Sequence, residues 1–205
     1  RVLWKKNQIK QIISQPSKRF TKEDTLLAAF LNPKEVKEWL RGSNPYDVTK
    51  FPYVEEGKKL NVEIFNYLWD IIDFISFSVD EIKMNFTDKV NYDKVHIDID
   101  KGPVFIENSA FVEPFTILRG PVYIGQKTII KSYSSITNSI IGPGCKIAGE
   151  ISNSIFQSNT NKAHYGYIGN SFIGEWVNLG AGTTTSNLKN NYKNISVVIN
   201  GQLIR

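Results

Sequence analysis

Over residues 104–185, apolar residues return every six positions: Ile106, Val112, Leu118, Ile124, Ile130 and Ile136. After one shortened step the series resumes at Ile141 and Ile147, and again at Ile168, Ile173 and Leu179, with Thr185 in the next slot. The following residue is often small or acidic, as at Glu107, Glu113, Gly125, Gly142, Gly169, Gly174 and Gly180. Six is a multiple of two, so a long alternating strand would share part of this pattern. Strands are seldom that long, however, and Gly, Pro, Ser and Asn interrupt the series throughout. A fixed short period outranks local propensity, and this one predicts a parallel β-helix of hexapeptide repeats. Each unit is a short strand and a corner, with its apolar residue inward and coils stacked about 4.8 Å apart. The competing architecture is an antiparallel sandwich.

Before residue 100 the spacing is helical. The segment "KKNQIKQIIS" reads as a helix, and "TKEDTLLAAFLN" reads as another, with Thr21 as N-cap and Asp24 three residues on. Pro33 suits the first turn of "PKEVKEWLRG", which Gly42 ends. Residues 46–62 are turn-rich, with a short strand pair expected around "YVEEGKKLNVEI". Residues 65–90 read as helical again, with Phe65, Leu68, Trp69, Ile72 and Phe77 as a packing face. The expected organisation is a mostly helical region over residues 1–100, whose helices cap the first coil, and a β-helix over residues 101–205. The overall class is mainly β with an α-helical N-terminal part. The ending "SVVINGQLIR" reads as a hairpin turned at Asn200-Gly201. Because the last coils would expose strand edges, the chain is expected to be truncated at its C-terminus or to meet a partner there.

The formal net charge is +5, which suits an anionic partner such as a phosphate or coenzyme A. No basic stripe interleaved with aromatics argues for nucleic acid. No apolar run is long enough for a membrane span, and the start is no signal peptide. The single cysteine, Cys145, excludes a disulfide framework and favours a reducing compartment; in a repeat core it reads as a small buried hydrophobe.

The six-residue beat is lost between Ile155 and Ile168, where "QSNTNKAHYGY" is expected to project as a loop. It carries His164, whose imidazole suits general-base work near neutral pH. Tyr165, Tyr167, Asn178 and Asn187 surround it in sequence with hydrogen-bonding groups. "NLGAGTTTSN" offers backbone N–H groups to a ligand, and Lys189 and Lys193 offer charge for a phosphate. The Gly-Ala-Gly run also fits tight coil corners, and asparagines fit corner positions with positive φ.

The run "NKAHYGYIGNSFIGEWVNLGAGTTTSNLKNNY" resembles the acetyltransferase segment of the bifunctional glucosamine-1-phosphate acetyltransferase / N-acetylglucosamine-1-phosphate uridyltransferase family. It is closest to a divergent bacterial branch that couples this segment to an upstream "WD" linker, here in "NYLWDIIDF". The resemblance covers residues 65–205 and is specific over 161–192. Residues 1–60 weakly resemble the tail of the nucleotidyltransferase part.

The resemblance implies a left-handed β-helix, a homotrimer with active sites between neighbouring coils, and a cytoplasmic role in nucleotide-sugar synthesis. It implies His164 as the base toward the amine of an amino sugar phosphate and Asn187 beside the attacking amine. Lys189 would serve phosphate or base chemistry, and Tyr167 and Asn178 would contact the sugar. Ala181, with Gly182, would present backbone to acetyl-CoA. Mg2+ would serve only a nucleotidyltransferase domain, whose glycine-rich loop this chain lacks. A lysine that the family places twelve residues before the histidine is Ser152 here, and Arg119 is the only arginine of the solenoid before Arg205. The acceptor is therefore expected to differ from glucosamine-1-phosphate or to be acetylated weakly. Two other readings compete: a trimerising scaffold without chemistry, and zinc hydrolysis of the carbonic anhydrase type. The zinc reading wants several histidines where only His164 and, just ahead of the solenoid, His96 are present.

Overall fold

The computed structural model describes residues 2–15, 18–22, 25–42, 55–57, 59–82, 92–185 and 188–204. The chain forms two compact units, residues 1–68 and 69–205.

In the first unit Lys6–Ile13 is helical, as its spacing predicts, and Val2–Leu3 pairs antiparallel with Glu63–Ile64. The helix Pro33–Gly42 also forms where expected. Asn32 closes its N-terminus reciprocally: its side-chain oxygen accepts from the N–H groups of Lys34 (2.9 Å) and Glu35 (3.1 Å), and Glu35 accepts from the Asn32 N–H (2.6 Å). The helix expected from Thr21 onward is instead an antiparallel hairpin, Lys18–Lys22 with Thr25–Phe30; Asp24 lies outside the described residues. Phe20 is the reason. It is buried on one face of its strand, against Leu60 and Val62, with Arg19 and Thr21 outward. That tertiary contact overrides the helix propensity of "TLLAAF". The strands expected over 55–64 exist but do not pair with each other: Glu55–Glu56 runs parallel to Lys18–Lys22. Residues 46–54 lie outside the described set.

In the second unit the helix expected over 65–90 is two short pieces, Asp70–Asp73 and Ile75–Ile82, and residues 83–90 are not described. The break at Phe74 turns the helical face. Trp69, at the N-terminal end of the first piece, is exposed, and Ile75 and Val79, four apart, supply the buried contacts. Ile75–Ile82 packs against the strands Ile117–Ile124 and Ser135–Ile141.

From His96 onward the chain winds into a β-solenoid of about five coils, consistent with the expected left-handed parallel β-helix. All solenoid pairings are parallel, which excludes the sandwich. Three faces recur. On the first, His96–Asp98, residues 117–119 and 135–137, Glu150–Ser152 and Tyr167–Gly169 stack in register. On the second stand Val104–Ile106, residues 122–124 and 139–141, Ile155–Phe156 and Phe172–Ile173. On the third stand Phe111–Val112, Ile129–Ile130, Lys146–Ile147 and Asn161–Lys162, continued by a bridge from Asn161 to Asn178. His96 thus belongs to the first coil rather than preceding it.

The core is the set of inward columns: Leu118, Ile136, Ile151 and Ile168; Ile124, Ile141 and Phe156; Val112, Ile130 and Ile147. Corners bend through residues of positive φ, among them Asn138, Asn153 and Asn170 at one edge, as expected of asparagine. Their side chains form a ladder, Asn138 Nδ2 donating to Asn153 Oδ1 (2.8 Å) and Asn153 Nδ2 to Asn170 Oδ1 (3.4 Å). Buried hydroxyls cap the carbonyls that the corners turn inward: Thr128 donates to Gly142 O (2.7 Å) and Thr160 to Gly174 O (2.7 Å). Cys145 is fully buried, as expected; burial pushes its thiol pKa up. The C-terminal hairpin, Val197–Ile199 with Gln202–Ile204, turns at Asn200 and Gly201, both at positive φ, as the sequence predicts.

The projecting loop expected between Ile155 and Ile168 is not there. The coil continues: Phe156, not Ile155, points inward, and Lys162 takes the next inward slot on the third face. The beat was hidden because its carrier at that slot is a lysine. Residues 163–166, between the strands Asn161–Lys162 and Tyr167–Gly169, form the turn that closes this coil.

Candidate functional site

His164 lies in that turn, at the corner leading from the third face to the first, and is exposed. Its imidazole meets no hydrogen-bond partner among the described residues. The turn stacks directly on the corner of the next coil. Gly182 donates its N–H to Tyr165 O (3.0 Å), Thr185 donates its N–H to Tyr167 O (2.9 Å), and Thr185 Oγ1 accepts from Gly169 N–H (2.9 Å). Gly166 makes this closeness possible. It sits at φ 130°, and a Cβ there would stand 2.2 Å from Thr183 O. The structure therefore brings His164, Tyr165 and Tyr167 together with the glycine turn at 180–182.

Tyr167 is half-buried on the first face, its hydroxyl over Gly169, where a Cβ would stand 2.2 Å from it. Asn178 is exposed on the third face and accepts from Asn161 Nδ2 (2.7 Å). Asn161 Oδ1 is buried without a partner among the described residues. Ala181 is exposed and its N–H has no acceptor among the described residues, whereas the N–H of Gly182 is already given to Tyr165. Gly180 is open: a Cβ there would meet no atom within 4 Å.

Lys189 is exposed. It lies in a local turn, its ammonium donating to Asn194 O (3.1 Å). Asn187 lies outside the described residues. Lys193 is exposed. Ser152 stands on the first face beside Gly169, two strands along from Arg119 through Thr137. The Arg119 guanidinium donates to Ser135 Oγ (3.2 Å). Among the described residues no group of three or more His, Cys, Asp or Glu side chains could hold a metal ion. No helix of the described residues is long and apolar enough to cross a membrane.

One residue of this corner escaped the sequence reading. Lys162 is fully buried, and its Nζ donates to His164 O (2.8 Å) and Ala148 O (2.8 Å). Burial pushes its pKa down. The only signal was arithmetic, since Lys162 falls six residues before Ile168 and fifteen after Ile147.

No family model matches the chain. Several curated proteins do, under one name. "Bifunctional protein GlmU" of Wigglesworthia glossinidia brevipalpis is 34% identical over 133 residues, covering 54% of this chain and 29% of the relative. That of a Picosynechococcus strain is 36% identical over 99 residues, 45% of this chain and 22% of the relative. That of Thermodesulfovibrio yellowstonii is 44% identical over 63 residues, 30% of this chain and 14% of the relative. The resemblance expected from the sequence is thus borne out: the chain is similar to the bifunctional proteins called GlmU, spanning less than a third of the length of these relatives.

Proposed function

We propose that this chain is the acetyltransferase-type module of a bifunctional sugar-nucleotide enzyme and that it acetylates the amine of a sugar phosphate. The observation that carries the reading is the docking of the exposed His164 turn onto the glycine turn of the next coil, through Gly182 N–H and Tyr165 O. A base and a backbone donor thereby face one exposed corner.

Acetyl-CoA would supply the thioester, the acetyl group passing to the acceptor nitrogen as the C–S bond breaks. His164 takes the proton that the attacking amine loses. The N–H of Ala181, which has no acceptor among the described residues, would steady charge on the acyl oxygen, a role the occupied N–H of Gly182 leaves to it. The open flank at Gly180 lets a bulky thioester approach the backbone. Tyr167 and Asn178 are the sugar contacts. Ser152, where the family places a lysine, with Arg119 two strands away on the same face, fits an acceptor other than glucosamine-1-phosphate or one bound weakly. The homotrimer, the cytoplasmic setting and any Mg2+ at a separate nucleotidyltransferase domain belong to this same reading.

The test is thiol release from acetyl-CoA, followed with a disulfide reagent, across a panel of amino sugar phosphates. In the full-length protein His164→Ala is expected to abolish release with the circular dichroism unchanged. Wild-type turnover in that variant overturns the assignment. No release by the wild-type protein with any acceptor leaves the solenoid as a trimerising scaffold.

A further inference from the structure

We infer that Lys162 is a positioning residue for His164: its side chain crosses the interior of the solenoid and fastens the His164 carbonyl to the carbonyl of Ala148 on the preceding coil. The inference rests on the proposed role of His164 for its catalytic consequence, but not for the geometry.

Lys162 occupies a column that is otherwise aliphatic. Val112, Ile130 and Ile147 precede it on the third face, and Leu179 follows. A leucine or isoleucine would fill the slot without desolvating an amine, and an amine without partners is costly there. What the lysine adds is two hydrogen bonds, both 2.8 Å, to His164 O and Ala148 O. These are carbonyls between the rungs of the backbone ladder. Ala148 N–H donates to Lys162 O (2.7 Å) and Glu150 N–H to Gly166 O (3.1 Å), so the turn at 163–165 lies between two rungs. Two donors serve two acceptors, and an uncharged amine has two N–H groups, so the fastening survives in either protonation state.

The surroundings fit this use. Gly149, at φ 87°, has no side chain; a Cβ there would stand 2.6 Å from Gly166 O and 3.2 Å from Nζ. The peptide after His164 is held from inside by Lys162, and the next one from the following coil by Gly182. Together they fix the backbone from which the imidazole projects, and that ring has no hydrogen-bond partner of its own among the described residues. A general base without an orienting partner depends on its backbone for aim, and a misplacement of about 1 Å can cost a hundredfold in rate.

The experiment uses the full-length protein with Lys162→Met, an unbranched apolar side chain suited to the column. Circular dichroism should be that of the wild type. Hydrogen exchange of the peptide covering 163–168 should quicken at least tenfold, with the other coils unchanged. Acetyl transfer should lose roughly ten- to a hundredfold in kcat while KM for acetyl-CoA stays within about threefold. Unchanged exchange at 163–168, or equal loosening of all coils, overturns the inference whatever the activity. Full activity in His164→Ala would instead defeat the functional reading, and the exchange result would still judge the fastening.

Discussion

The register of the fourth coil can be decided by two substitutions at adjacent positions. Phe156 is 1% exposed and sits in the core among Ile141, Ile151 and Ile173, whereas Ile155 is half-buried on the outer surface between Ile140 and Phe172. Phe156→Ala removes a whole ring from a packed column and is expected to cost about 3–5 kcal/mol. Ile155→Ala removes a side chain that keeps part of its surface in water, so roughly 1 kcal/mol is at stake. With a urea m-value of about 2 kcal/mol/M, the midpoints should fall by roughly 1.5–2.5 M and about 0.5 M respectively. Circular dichroism during urea titration reads both shifts, and an unchanged m-value shows that the native surface is retained. An Ile155→Ala loss equal to or larger than that of Phe156→Ala would place the isoleucine inside and refute the register on which Lys162's inward position depends.

Gly166→Ala forces a Cβ to 2.2 Å from Thr183 O at a backbone of φ 130°; a loss of at least about 2 kcal/mol in urea titration and of the proposed acetyl transfer is expected, and a neutral outcome would deny the close corner. The pKa of Lys162 is depressed by burial, so the unfolded chain binds the extra proton: stability should rise as pH climbs between the folded value and the ordinary value near 10.4, and Lys162→Met should remove that rise. The Glu113 carboxyl is held low, chiefly by its hydrogen bond from Lys131 (2.8 Å), so its contribution is present above the ordinary carboxylate range and lost as pH falls through the folded pKa. Glu113→Gln should flatten that acid limb by a fraction of a kcal/mol, about what a part-exposed pair yields, as urea midpoints between pH 7 and pH 3 would show. Cys145, buried and with its pKa raised, should react with a disulfide reagent only after denaturation; rapid labelling of the native protein would contradict its place in the core.

The solenoid was legible because its faces are built from repeated burial of one residue in six, and burial by Ile, Leu or Val leaves a mark on sequence. The mark fails where another chemistry fills the slot. Lys162 is apolar along its four-carbon stem and polar only at its tip, so it packs like its neighbours while reading as surface. The same failure turned a continuous coil into an imagined loop and let Ile155 stand for Phe156. The pairing of His164 with the glycine turn was visible as a motif, but the donor already taken from Gly182 was not, since the spacing cannot say which N–H groups the corner itself consumes. In the first unit the hairpin at 18–30 went unseen because its cause, Phe20 against Leu60 and Val62, lies some forty residues away in the chain.

Leu118 pairs with Ile136, Ile136 with Ile151, and Ile151 with Ile168, so successive windings take 18, 15 and 17 residues without disturbing the columns. The differences are taken up between the paired stretches. A scaffold with such elastic edges can gain or lose residues there while its walls stay aligned. New reactive groups can then be tried at the rim of one winding at a time, with the neighbouring windings holding the shape.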